Sequence, residues 1–145
     1  MLRNRIVNGQ KASDATYVAH TDLVRGMAVV KATAGKTAFV AETTDVNVFL
    51  VDRDNLPTGV DCAYTDRPDT AFDNIKAGEK VILRAYVAGE SFYTTQYATG
   101  TTTDGTAVGV DKNGKWVAHT TGTKYVSRGE ETVAGVKMLA IEVIG

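Results

Sequence analysis

The chain has 145 residues, 43% of them apolar and 23% charged, with a formal net charge of -1. This length suits one domain that buries roughly two thirds of its unfolded surface without covalent staples, and so small a net charge recruits neither nucleic acid nor an anionic membrane. Cys62 is the only cysteine, which excludes an internal disulfide and fits a reducing compartment or a protein released by lysis; no run of about 18 apolar residues, no signal-peptide core and no Asn-x-Ser/Thr sequon occurs.

Residues 1–14 read as an extended N-terminal arm. "MLRNRIVNG" carries Arg3 and Arg5, holds Ile6 between them and a turn at Asn8-Gly9, and is too short for a core of its own. The arm is expected either to fray or to pair with a neighbouring subunit. Residues 15–145 read as a single β domain. "LVRGMAVVKAT" (23–33) and "TAFVAET" (37–43) flank a short Ala-Gly-Lys connection, and "VNVFLVD" (46–52) follows with apolar residues on both faces. "AGKT" (34–37) resembles the end of a phosphate-binding loop. Val30 occupies the position of that motif's first glycine, and a strand follows where a helix is required, so nucleotide binding is not expected.

Residues 51–73 hold six aspartates, Asp52, Asp54, Asp61, Asp66, Asp69 and Asp73, against Arg53 and Arg67. Read as a calcium loop from Asp52, the sixth position is Pro57 and the twelfth Ala63, where glycine and glutamate are needed. Aspartates near proline and glycine bond their own backbone in turns. The segment therefore reads first as turn chemistry, then as an acidic docking surface for a basic partner such as the Arg3/Arg5 arm of a neighbour. "DTAFDNIKAG" (69–78) is the best helix candidate, capped by Asp69 and stopped by Gly78, and one short helix at most is expected.

"EKVILRAYVA" (79–88) alternates with Val81, Leu83, Ala85 and Val87 on one face, and "SFYTTQYAT" (91–99) follows. Ala-Gly-Lys/Glu recurs at 34–36, 77–79 and 88–90, each time before a strand, and predicts three similar turns. "AVGVD" (107–111) and "KWVAH" (115–119) surround Asn113-Gly114, the signal of a two-residue hairpin. That register places Val110 opposite Val117 and turns Val108, Val110 and Val117 to the core. Trp116 then lies on the other face, under a loop or at a subunit interface. "VKMLAIEVIG" (136–145) supplies the last strand. Twenty threonines and fourteen glycines beside two prolines agree with this β reading. The expected fold is all-β, a single-domain sandwich or barrel, with strand order open.

No cofactor motif, metal-ligand spacing or catalytic constellation is legible. His20 and His119 stand 99 residues apart, and nothing local activates either of them or Cys62. The candidate functional residues are interface anchors: Arg3, Arg5 and Ile6 of the arm, and Phe92, Tyr93, Tyr97 and Trp116.

"RGMAVVKAT", "AGEKVILRAYVAGESFYTTQYAT" and "TAVGVDKNGKWV", with the Val108-Gly109-Val110-Asp111 step before Gly114, resemble the small head decoration or cement proteins of tailed bacteriophages. The resemblance spans roughly residues 23–119 and rests on strand-and-turn style. It implies no enzyme activity. It implies a virion protein on the capsid exterior, made in the host cytoplasm, whose partner is the major capsid protein shell and whose arm contacts neighbours. A carbohydrate-binding or adhesion module, its tyrosines and tryptophan a stacking platform and its aspartates a possible calcium site, is the alternative.

Overall fold

Short segments rich in Val, Leu, Ile and Thr alternate between buried and exposed positions and build an all-β fold. The computed structural model describes residues 1–8, 13–41, 48–53, 73–119 and 123–145. Among these, the strands in chain order are β1 (Leu2–Ile6), β2 (Ser13–Ala19), β3 (Leu23–Val24), β4 (Ala28–Lys31), β5 (Thr37–Val40), β6 (Phe49–Asp52), β7 (Asn74–Ile75), β8 (Lys80–Arg84), β9 (Ser91–Thr94), β10 (Ala107–Val110), β11 (Trp116–Ala118), β12 (Tyr125–Val133) and β13 (Val136–Val143).

Two sheets dominate. Strands β2, β5, β4, β6 and β8 close a barrel, and β1-β9-β13-β12-β10-β11 form an open six-stranded sheet. All pairs are antiparallel except β2 with β5. The two-residue alternation of a strand explains how the sheets meet. Val29, Val51, Val81 and Leu83 fill the barrel with Tyr17, Ala19 and Ala38. Their neighbours Ala28 and Leu50 point out of the barrel wall and join Leu2, Phe92, Leu139, Ile141 and Trp116 in a second core against the six-stranded sheet. Both halves of the prior sandwich-or-barrel expectation are thus present: a barrel, and a sheet packed on its wall.

Residues 2–6 are not an arm. Strand β1 lies at the edge of the chain's own sheet, with Leu2 opposite Thr94 and Asn4 opposite Phe92. Met1 and Leu2 are buried, and that burial makes these residues part of the fold. The helix expected over 69–78 is corrected for its described part: Asn74–Ile75 is strand β7, paired with β3, and Lys76–Gly78 is a turn. Ile75 is buried in the barrel core, which a two-residue strand achieves without a helical turn. The Ala-Gly turns are present as expected. Gly35, Gly78 and Gly89 all have φ between 80° and 89°, and Glu79 N and Glu90 N close the second and third onto the Lys76 and Val87 carbonyls.

The hairpin between β10 and β11 differs from the expected register by one residue. Val110 faces Trp116, and Val108 faces Ala118. The side chain of Asp111 is the cause: its Oδ1 accepts from Asn113 N at 2.8 Å and Lys115 N at 2.9 Å. Gly114 N also bonds the Asp111 carbonyl, and only Gly114 takes positive φ, at 73°. This is a type I turn followed by a left-handed glycine, a three-residue loop in place of two. A one-residue slip exchanges the faces of a strand, so Trp116 enters the core and Val117 leaves it. The turn then docks on the barrel, where Ala28 N donates to the Gly114 carbonyl at 2.9 Å.

Candidate functional site

Edge strand β1, β9 and the far end of β12 place three of the expected interface residues together on the sheet face turned away from the barrel. Arg3 lies directly opposite Tyr93, which lies opposite Ala140 on β13. Tyr93 Oη donates to Glu131 Oε2. Arg5 reaches the same carboxylate, with Nη2 at 3.8 Å from Glu131 Oε1, and Nη1 donates to Ser91 Oγ at 3.4 Å. The Glu131 carboxylate, accepting from Tyr93, pushes its phenol above the ordinary value.

The same sheet carries further paired charges. Arg128 Nε donates to Glu142 Oε2 at 2.6 Å, and its Nη1 lies 3.3 Å from Asp104. Tyr97 Oη donates to Glu130 Oε1 at 2.8 Å, and Lys137 Nζ lies 3.9 Å from Glu130 Oε2. Burial first, and Glu130 second, push the Tyr97 phenol up to about 12. The pairings carry no directed nucleophile or base. They do not share one surface: Glu142, opposite Ser91, lies on the outward face with Tyr93, whereas Glu130 stands opposite Leu139 on the other face, where Tyr97 packs against the core.

Ile6 is exposed at the end of β1. Phe92 and Trp116 are elsewhere: both are fully buried in this chain's core, where the expected interface role is overturned. Phe92 stacks between Tyr86, at 4.7 Å between ring centroids, and Trp116, at 5.7 Å; Tyr125 meets Trp116 edge-on at 4.8 Å. The apolar payload of these rings holds the sheet to the barrel instead of a partner.

Sequence reasoning missed a buried charge cluster at the junction of barrel and sheet. Arg25 Nε bonds Asp52 Oδ1 at 3.0 Å, and its Nη1 lies 3.5 Å from Asp73 Oδ1. Arg84 Nε bonds the other Asp52 oxygen at 2.5 Å. The Met1 amine lies 2.8 Å from Asp73 Oδ2 and donates to the Arg25 carbonyl and Thr95 Oγ1. Burial lowers that amine's proton affinity, and Asp73 partly restores it. Two of the six aspartates therefore serve as internal ion-pair partners, matched to cations of their own chain. Asp54, Asp61, Asp66, Asp69 and Cys62 lie outside the described residues. Among the described residues, no group of three or more His, Cys, Asp or Glu side chains is placed to hold a metal ion. His20 stacks on Phe39 at 4.2 Å, and His119 packs over Gly109.

No protein-family model matches the chain, and a search of curated proteins returns no match.

Proposed function

We propose that this protein is a non-enzymatic structural protein of a phage particle, one that binds the assembled capsid shell and stabilises it. The observation that carries this reading is the gathering of Arg3, Arg5 and Tyr93 on one outward face beside the edge of the sheet. The polar groups of that face are engaged with each other in a fixed charge pattern, as in a recognition surface. The sequence resemblance to head decoration proteins supplies the partner. A barrel and a sheet sharing one wall form a stiff body, which is what a protein that braces a lattice requires.

The test is co-sedimentation of the purified protein with empty phage heads assembled without it, in expanded and unexpanded form. Saturable binding with a copy number that matches the lattice supports the reading. The charge-reversed pair Arg3→Glu/Arg5→Glu is then expected to weaken binding at least about tenfold, since two opposed charge pairs become like pairs. Absence of binding to both head forms overturns the proposal.

A further inference from the structure

We propose that Asn113-Gly114 is a latent deamidation site, held unreactive by the seated β10–β11 turn and releasing that turn irreversibly once it opens. The inference concerns covalent chemistry within the chain and is independent of what the outward face binds. In an Asn-Gly pair the backbone nitrogen of glycine, once deprotonated, attacks the side-chain Cγ of asparagine. The new C–N bond closes a five-membered imide, and the side-chain nitrogen leaves as ammonia. Water then opens the imide at either carbonyl. The net change is asparagine plus water to ammonia plus aspartate or isoaspartate, with no oxidant or cofactor. Glycine favours the attack because it has no Cβ to obstruct it. Asn113 is exposed to the water that the reaction consumes.

The turn withholds the nucleophile. Gly114 N donates to the Asp111 carbonyl at 3.1 Å, so the nitrogen that must lose its proton keeps it in a hydrogen bond. The backbone on either side of that nitrogen is fixed as well. Asn113 N donates to Asp111 Oδ1 at 2.8 Å, and the Gly114 carbonyl accepts from Ala28 N at 2.9 Å. A type I turn holds ψ of its third residue, here Asn113, at about 0°. Ring closure needs the Asn113 Cβ in the plane of the attacking amide, a large rotation that breaks the bond from Gly114 to Asp111. Gly114 is buried against the barrel, where a Cβ would stand 2.7 Å from the Ala28 carbonyl and 3.1 Å from Val40 Cγ1, which leaves no room to rotate in place. Reaction therefore requires local opening of the turn. The isoaspartate product then prevents reclosure. Its main chain runs through Cβ and Cγ and gains one methylene, so the bonds of Gly114 to Asp111 and to Ala28 no longer fit together. Trp116, two residues on and buried, loses its seat with them.

The test ages the full chain at mildly alkaline pH beside a capped synthetic peptide of residues 110–117. Peptide mapping by mass spectrometry follows Asn113 separately from Asn8-Gly9, the other Asn-Gly pair. Asn113 in the folded chain is expected to react at least about tenfold more slowly than in the peptide. Exchange of the Gly114 amide proton needs the same deprotonation and the same opening, so its protection is expected to match that slowing. In Asp111→Ala, which removes the carboxylate that holds the turn, both rates are expected to rise together. Should that variant not fold, a series in sub-denaturing urea opens the turn instead and carries the same expectation. The aged, deamidated fraction, separated by its added negative charge, is expected to contain isoaspartate at 113, with red-shifted Trp116 fluorescence and a lower urea midpoint. Asn113→Asp adds the charge without the methylene and is expected to keep the parent's fluorescence and midpoint. Reaction of Asn113 at the peptide rate while Gly114 stays protected, faster Gly114 exchange without faster deamidation, or an isoaspartate fraction with native Trp116 fluorescence would each overturn the proposal.

Discussion

Trp116 and Val117 differ by one position and by everything that position decides. In the observed hairpin Trp116 is fully buried and Val117 lies on the outward face. Removing a buried tryptophan costs about 3–5 kcal/mol, whereas an outward valine on a half-exposed face costs about 0.5 kcal/mol or less. Urea denaturation of Trp116→Ala and Val117→Ala is expected to show that large asymmetry; the reverse order would restore the two-residue turn. Trp116→Phe should cost much less than Trp116→Ala, because a phenyl ring refills most of the cavity, and no hydrogen bond among the described residues is lost with the buried Nε1. The tyrosines carry a pH prediction. Burial raises the phenols of Tyr86 and Tyr125, and Tyr93 and Tyr97 are raised as described above. A phenol whose folded pKa exceeds its unfolded value of about 10 stabilises the fold fully below that value. That stability is lost as pH rises from there through about 12, where Tyr97 ionises. Absorbance of tyrosinate followed together with near-ultraviolet dichroism is expected to show ionisation delayed beyond pH 10 and coupled to loss of tertiary signal. Ionisation of all the tyrosines near 10 with the dichroism intact would contradict it.

The strands themselves were largely legible, because apolar alternation over four to eight residues is a local property of the chain. Segments such as residues 79–88 and 136–145 contain β8 and β13 almost in place. Strand β12 was not legible. Its middle reads Arg128-Gly129-Glu130-Glu131, and the polar run conceals a bulge between Ser127 and Glu130 in which Gly129 takes φ of 88°. The arm reading failed for a related reason: Arg3 and Arg5 look like solvent residues, and only the distant partner β9 makes their strand an edge. The aspartates illustrate the limit most sharply. Composition shows six negative charges, but not that Arg25, 27 positions before Asp52, clamps Asp52 and Asp73 at once. Arg25→Leu leaves both carboxylates short of a buried cation and is expected to destabilise by about 3–5 kcal/mol. The Gly114 turn is legible in kind and not in length. Gly114→Ala meets both positive φ and the Ala28 carbonyl, 2.7 Å from where its Cβ would stand. A loss of about 1–3 kcal/mol from the backbone alone is expected, measurable by thermal denaturation. An unchanged melting temperature would show that the turn does not seat on the barrel.

At the scale of the molecule, no described strand of the barrel pairs with one of the six-stranded sheet; single hydrogen bonds such as Ala28 N to the Gly114 carbonyl bridge the two, and packing joins them. Consecutive residues of one wall serve both cores: Ala28 and Leu50 face the sheet, while Val29 and Val51 face the barrel interior. Neither core can lose β4 or β6 without opening the other. The buried contacts among Arg25, Asp52, Arg84 and Met1 cross the same junction. Such an arrangement unfolds as one unit, since a half that opens alone exposes the apolar wall of its neighbour and strands buried charge. Leu83→Ala, in the barrel core, and Leu139→Ala, in the sheet core, are each expected to cost about 2–5 kcal/mol. Both are expected to move the same single denaturation midpoint. Trp116, the only tryptophan, reports the sheet core through fluorescence, and amide exchange along β2 and β8 reports the barrel. If Leu83→Ala let the barrel amides exchange at a denaturant concentration where Trp116 fluorescence was still native, the shared wall would not couple the two halves. The joined cores are what would make the protein a rigid brace: the outward face bearing Arg3, Arg5 and Tyr93 keeps its spacing only while the wall behind it is shared.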